Sequence, residues 1–249
     1  MEFQGGNRVL DRRALQALNE ALEGGALQTV FQPLWAMDGT CWGYEALTRF
    51  PNGCPPGDVW ILAQESGSAV ALDRAALRSA VDAGRDLPHR LFLNISAAHL
   101  SHADTLLGWG PPDRIGWEIT ESGLMSPAGT LGAQWLQAQG YTVAMDDAGT
   151  GYATGRRLKQ LRPQVVKLDH TVVKQWQSGQ PQPLQAWVQA AHKTRALVLA
   201  EGVEAMTWVA ALAREDIDAI QGYAVGAPAP ADQWVMNTYQ FRGVRKSNV

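Results

Sequence analysis

Apolar residues recur along this chain with two alternating periods. Between Arg12 and Leu22, Leu15, Leu18 and Leu22 fall at helical spacing, and Gly24-Gly25 ends the helix they predict. Thr29 to Trp35 and Trp42 to Phe50 are short apolar runs of strand type separated by Asp38-Gly39. An Asp-Gly pair between two such runs signals a hairpin, so the first two strands are expected to be antiparallel neighbours. The pattern then alternates. Val59 to Ala83 reads as one long helix, with Leu62, Val70, Leu77 and Val81 as its apolar positions, and Arg90 to Ile95 as a strand. Ser96 opens a helical segment to about Leu107, Arg114 to Thr120 is a strand and Pro127 to Gln139 a helix. Tyr141 to Met145, Gln164 to Leu168, Ala196 to Ala200 and Ala219 to Val225 complete the strands. Helices are expected at Tyr152 to Leu161, Leu184 to Thr194, Met206 to Arg214 and Ala231 to Asn237. This order predicts an α/β fold, an irregular (β/α)8 TIM-like barrel whose irregularity is the opening hairpin. An open doubly wound sheet is the rival, but no Gly-rich phosphate loop follows the first strand.

Polar residues gather where the predicted strands end. Glu45, Asn94, Glu118 with Glu121, Asp146-Asp147, Lys167 with Asp169, Glu201 with Glu204, and Gln221 stand at or just past successive strands. One such acid is ordinarily a helix cap or a solvated loop residue. Repeated around a barrel, they share one mouth, where barrel enzymes keep their chemistry. Converging carboxylates repel and need compensation, and hard divalent cations with oxygen ligands supply it. Asn94 adds a neutral oxygen, adjacent Asp146 and Asp147 can let one carboxylate bridge two ions, and paired ions suit displacement at phosphorus. Lys167 can hold a water or a phosphate oxygen, or serve as a structural counter-ion.

Composition narrows the reading. With 46% hydrophobic and 18% charged residues the chain can build a sizeable core, and a net charge of −3 without a basic run argues against a DNA or RNA polymer as partner. Cys41 and Cys54 show no metal-finger spacing and read as free thiols. Neither a signal peptide nor a membrane-spanning apolar run is visible, so a cytoplasmic protein without membrane partners is expected.

The motifs resemble those of EAL domains, the cyclic di-GMP phosphodiesterases. The stretch Gly43-Tyr44-Glu45-Ala46-Leu47-Thr48-Arg49-Phe50 is similar to the family signature. Phe31-Gln32-Pro33-Leu34, Leu93-Asn94-Ile95-Ser96, Trp117-Glu118-Ile119-Thr120-Glu121-Ser122 and Asp146-Asp147-Ala148-Gly149-Thr150-Gly151-Tyr152 resemble further family motifs, in family order. Val166-Lys167-Leu168-Asp169, Ala200-Glu201-Gly202-Val203-Glu204 and Gln221-Gly222-Tyr223 complete the set. The resemblance implies a barrel with an antiparallel first strand, spanning residues 1–249 as one domain with its core at about 15–240. It implies hydrolysis of cyclic di-GMP to linear pGpG with two Mg²⁺ or Mn²⁺ ions per site. Carried over, Glu45, Asn94, Glu118 and Asp146 would hold the first ion, and Asp146, Asp147 and Glu201 the second. Lys167 would position the attacking water with Gln221 nearby, Glu121 would anchor the loop bearing Asp147, and Gln32 and Arg49 would lie near substrate.

Departures from the family pattern are Ala148 for a usual phenylalanine, Ala153-Thr154-Gly155 for Ser-Ser-Leu, His170 for arginine and Gly226-Ala227-Pro228 for Ser-Arg-Pro. Ala148 and Gly155 imply a loosely packed loop after the fifth strand and a high metal requirement. A homodimer is left open. His99 and His102 are read as surface or capping residues, Trp135, Trp176, Trp187 and Trp208 as packing for the outer helices, and Arg156-Arg157 as a solvated helix face. The competing readings are a cyclic di-GMP receptor that does not cut, a protein-interaction module on the same fold, and an enolase-like metal-dependent barrel.

Overall fold

Asp38 and Gly39 turn the chain back on itself between β1 (Gln28–Ala36) and β2 (Cys41–Arg49). The Asp38 carboxylate accepts from Thr40 N at 2.8 Å, and Gly39 adopts φ +94°, which a side chain would resist. The computed structural model describes residues 12–25, 27–120, 126–150, 154–235 and 241–243. The strands that follow are β3 (Arg90–Asn94), β4 (Ile115–Thr120), β5 (Thr142–Ala148), β6 (Val165–Leu168), β7 (Leu197–Ala200) and β8 (Ala219–Ile220). They close in sequence order into a barrel. Strand β1 is antiparallel to both β2 and β8, and the other pairings are parallel. The expected irregular barrel is therefore observed.

The helices lie outside the barrel: α1 (Arg12–Leu22), α2 (Pro56–Glu65), α3 (Ala69–Ala83), α4 (Ala97–Leu100), α5 (Pro127–Ala138), α6 (Thr154–Leu161), α7 (His170–Gln177), α8 (Gln182–Lys193), α9 (Met206–Arg214) and α10 (Ala231–Val235). A 3-10 segment spans Ala103–Trp109. Several expectations need correcting. The long helix from Val59 to Ala83 is two helices, because Gly67 at φ +74° breaks it. Helix α1 buries Ala14, Ala17, Leu18 and Ala21, leaving Leu15 and Leu22 exposed. Helix α7 was not expected, and β8 is two residues long because the chain leaves the sheet after Ile220. His99 is fully buried, while His102 is exposed as expected. Trp187 is buried, and Trp135, Trp176 and Trp208 pack partly buried against the main core. Arg156-Arg157 lies on α6, and the side chains of these two residues lie outside the described residues. Both cysteines are free. Among the described residues no helix is long and apolar enough to cross a membrane.

Inside the barrel, Leu34, Phe92, Ala144, Val165, Leu199 and Ala219 form a closed apolar cluster, with Trp42 packed against it. Gly43 and Gly116 flank Phe92: a Cβ on Gly43 would come within 3.0 Å of its ring, and one on Gly116 within 2.9 Å. Space for the large ring is thus bought by two glycines on neighbouring strands. This layer is the floor on which the polar mouth rests.

Candidate active site

Side chains two residues apart on a strand share a face. Stepping two residues on from the six floor residues and from Gly43 and Gly116 gives Gln32, Glu45, Asn94, Glu118, Asp146, Lys167, Glu201 and Gln221. In β1 the step runs backward, from Leu34 to Gln32, because that strand is antiparallel. The sheet therefore places these eight side chains in one ring above the floor.

Lys167, 1% exposed, is at the centre. Its Nζ lies 2.7 Å from Glu118 Oε2, 2.8 Å from Glu201 Oε1, 3.1 Å from Asp146 Oδ1 and 3.3 Å from Glu45 Oε2. Glu45 also accepts from Asn94 Nδ2 at 3.0 Å and from Gln221 Nε2 at 2.8 Å. Gln221 Nε2 is also 3.2 Å from Gln32 Oε1, and Gln32 donates to Gly226 O at 2.9 Å. Counter-ion and water-holding roles were both open for Lys167; in this arrangement its ammonium compensates the acids.

Compensation is incomplete, since four carboxylates face one ammonium, formally 1 − 4 = −3. Burial, reinforced by Glu45 and Asp146, pushes Glu118 well above the usual carboxylate range despite Lys167. Burial likewise raises Glu201 to about 8, against the pull of Lys167. Glu45 is also penalised by burial, but the Lys167 charge and the hydrogen bonds from Gln221, Asn94 and Lys167 together hold it below its ordinary value. Lys167 is disfavoured by burial yet raised well above its ordinary value by Asp146, Glu118, Glu201 and Glu45. Burial thus favours the protonated form of Glu118 and Glu201, while Glu45 is kept ionised by its donors.

Asp147 stands beside the ring. It takes φ 55° at an irregularity in the β5–β6 pairing, a left-handed conformation that Asp tolerates better than most residues. Burial and the neighbouring Asp146 raise its carboxyl to about 6. The loop that follows is not underpacked over its described part. Ala148 is fully buried, its carbonyl accepts from Asp169 N at 3.1 Å, and a Cβ on Gly149 would run into Val172. The alanine is buried beside a glycine on which α7 packs close, which corrects the expectation of a loose loop for Ala148 and Gly149. Glu121 and residues 151–153 lie outside the described residues.

Other expected residues fall away from the ring. Asp169 caps α7 by accepting from Thr171 N at 2.9 Å, and Glu204 pairs with Lys174 at 3.5 Å. Arg49 is half-buried and donates to Thr48 O at 3.0 Å; with Asn94 it lines a cleft of about 470 Å³ beside the mouth. The sequence reading missed Asp73, a fully buried carboxylate behind this cleft. Its signal was an acid within the apolar stripe of α3, at i, i+3, i+4 and i+7 with Ala76, Leu77 and Ala80.

The donor set fits divalent metal. One oxygen from each of Glu45, Glu118 and Asp146 lies within 4.8 Å of the others. Glu118 Oε1, Asp146 Oδ1 and Gln221 Oε1 are buried without a hydrogen-bond partner, although Asp146 Oδ1 has the ammonium beside it in poor bonding geometry. Unpaired oxygens of this hardness, in an under-compensated acidic ring, suit Mg²⁺, Mn²⁺ or Ca²⁺.

Comparison with known proteins agrees with the geometry. The family model described as "EAL domain" matches residues 15–228. "Bifunctional diguanylate cyclase/cyclic di-GMP phosphodiesterase MucR" of Pseudomonas aeruginosa is 30% identical, over 88% of this chain and 35% of its own length. "Cyclic di-GMP phosphodiesterase PdeL" of Escherichia coli is 27% identical, over 89% of this chain and 68% of its own length. The solved structure "PaMucR Phosphodiesterase, c-di-GMP complex" superposes with a TM-score of 0.78 at 28% identity, covering 89% of this chain and 99% of that one. The chain spans about a third of the length of the first curated relatives it matches.

Proposed function

The chain belongs to the EAL domain family, and on that premise we propose that it hydrolyses cyclic di-GMP to linear pGpG with two divalent ions, Mg²⁺ or Mn²⁺. The observation that carries this reading is the ring itself: every strand contributes a polar side chain at one level, including three clustered carboxylates. Glu45, Asn94, Glu118 and Asp146 would hold one ion, and Asp146, Asp147 and Glu201 the other. When bound, such ions strengthen a water nucleophile and neutralise charge developing at phosphate.

The chain's own residues do the rest. Lys167 would hold the attacking water by donating hydrogen bonds from its ammonium. The water oxygen bonds to phosphorus in line with the ribose 3′ oxygen, whose bond to phosphorus breaks. A carboxylate of the ring accepts the proton the water loses, and the departing 3′ oxygen takes up a proton from solvent to leave as a hydroxyl. Gln32 and Gln221 fix the side of the site opposite Glu118, Arg49 offers its fork to phosphate or guanine, and Glu121 anchors the loop bearing Asp147. The outcome is lower second-messenger signalling, in a cytoplasmic setting.

The test is incubation of pure protein with cyclic di-GMP and Mg²⁺ or Mn²⁺, with chromatography of the products. Formation of pGpG above a metal-free control is expected. Tight binding without product would assign a receptor instead.

A further inference from the structure

Asp73 lies on α3, outside the ring, with no part of its side chain exposed. A carboxylate this deep persists only where donors meet its oxygens. Oδ1 accepts from Trp60 Nε1 on α2 at 2.9 Å. Oδ2 accepts from Ser96 N at 3.0 Å and from the Ser96 hydroxyl at 2.6 Å. His99, equally buried, brings Nδ1 to 3.3 Å from Oδ2 without hydrogen-bond alignment, and its Nε2 faces Thr105 Oγ1 at 3.2 Å.

These partners lead back to the mouth. Trp60 packs edge-on against Phe50, the residue after β2, with ring centroids 5.9 Å apart. Ser96 follows Asn94, the last residue of β3, by two positions. One carboxylate therefore ties together the ends of two adjacent strands, the strands that carry Glu45, Arg49 and Asn94. Trp60, Ser96, Asn94 and Arg49 also line the same cleft.

We propose that Asp73 is a positioning residue: by gripping Ser96 and Trp60 it fixes the turn after β3 and aims the Asn94 amide at Glu45 and the metal site. The inference rests on the proposed function in taking Asn94 as a metal ligand. The Asn94–Glu45 hydrogen bond joins two side chains of the chain directly, so the aim of Asn94 can be read separately in metal-free protein. A tie that served stability alone would lower the melting temperature and leave Asn94 as it is. Asp73→Asn leaves one acceptor oxygen for donors on two sides, so the grip on either Ser96 or Trp60 is lost while the volume is kept.

The experiment follows the Asn94 side-chain amide by ¹⁵N–¹H spectroscopy of metal-free protein, its signals identified by their loss in Asn94→Ala. In Asp73→Asn the signals are expected to move towards those of a free amide. Ser96→Ala should move them less, and His99→Gln should keep them in place. Calorimetric Mn²⁺ affinity should fall about 10-fold in Asp73→Asn, the scale usual for residues that orient a metal ligand. It should fall no further when Asp73→Asn is added to Asn94→Ala. Parent-like Asn94 signals in folded Asp73→Asn would overturn the proposal, as would a full additional loss of affinity on the Asn94→Ala background. Should Asp73→Asn fail to fold, Ser96→Ala decides by the same signals. A parent that binds no Mn²⁺ would refute the metal reading, while the amide signals would still decide the role of Asp73.

Discussion

The barrel interior has two layers, built by the same eight strands two residues apart, and they solve opposite problems. In the floor, Leu34, Phe92, Ala144, Val165, Leu199 and Ala219 exclude water by filling space, and Gly43 and Gly116 yield room to Phe92. In the ring above, Glu45, Glu118 and Asp146 are almost as buried but share one ammonium, and Glu118 Oε1 and Asp146 Oδ1 are left without a hydrogen-bond partner. The floor gains stability from packing, whereas the ring forgoes it by burying acids that a single ammonium cannot balance. The difference teaches that the floor holds the fold, while the ring gathers acidic oxygens of the kind that suit cations.

Substitutions should separate the layers. The largest effect is expected in the ring: Glu45→Ala, Asn94→Ala or Asp146→Ala should cut turnover by about 10³-fold or more, on the order of 4 kcal/mol of barrier. Their circular dichroism should stay that of the parent. If any one keeps near-parent turnover with the fold intact, that residue is no metal ligand.

In the floor, Phe92→Ala should cost about 3–5 kcal/mol of unfolding free energy by leaving a cavity. Denaturant titration measures this, and turnover per folded molecule should change far less than for the ring variants. A stable Phe92→Ala protein that is catalytically dead would erase the distinction between the layers.

Lys167 sharpens the comparison from inside the ring. Lys167→Met should destabilise the metal-free protein by roughly 3–5 kcal/mol, because buried acids lose the ammonium that lies among them. The loss should shrink when Mn²⁺ replaces the missing charge. Melting in EDTA and in Mn²⁺ gives the two values, and equal losses would show that metal and ammonium do not serve the same acids.

The smallest effect concerns the edge of the ring. Ala148→Phe restores the usual family residue, but Ala148 is fully buried here and α7 already packs close to the neighbouring Gly149. Overpacking should cost about 1–3 kcal/mol, measured by thermal melting. A stabilised variant would mean that the loop holds spare room after all.

Much of both layers was legible in the chain. The Asp38-Gly39 hairpin and the strand-end acids carry strong local signals, so the antiparallel first strand and nearly all of the ring followed from short stretches of sequence. Features that depend on tertiary context did not. Helix α7 has eight residues, too few for the period of Val172, Val173 and Trp176 to stand out, although Asp169 marks its cap. The break at Gly67 was masked by apolar residues continuing at helical spacing on both sides. His99 looked like half of an exposed pair because nothing nearby in sequence shows that Asp73, 26 positions earlier (99 − 73), is buried against it.

The central claim, that the ring is built to hold cations, is tested most directly by equilibrium binding of Mn²⁺ to the metal-free protein in the presence of cyclic di-GMP. The account predicts two ions per chain in the parent and loss of tight binding in Asp146→Ala, whose carboxylate would touch both. Parent protein that takes up no Mn²⁺, or Asp146→Ala protein that binds it as the parent does, would contradict the account.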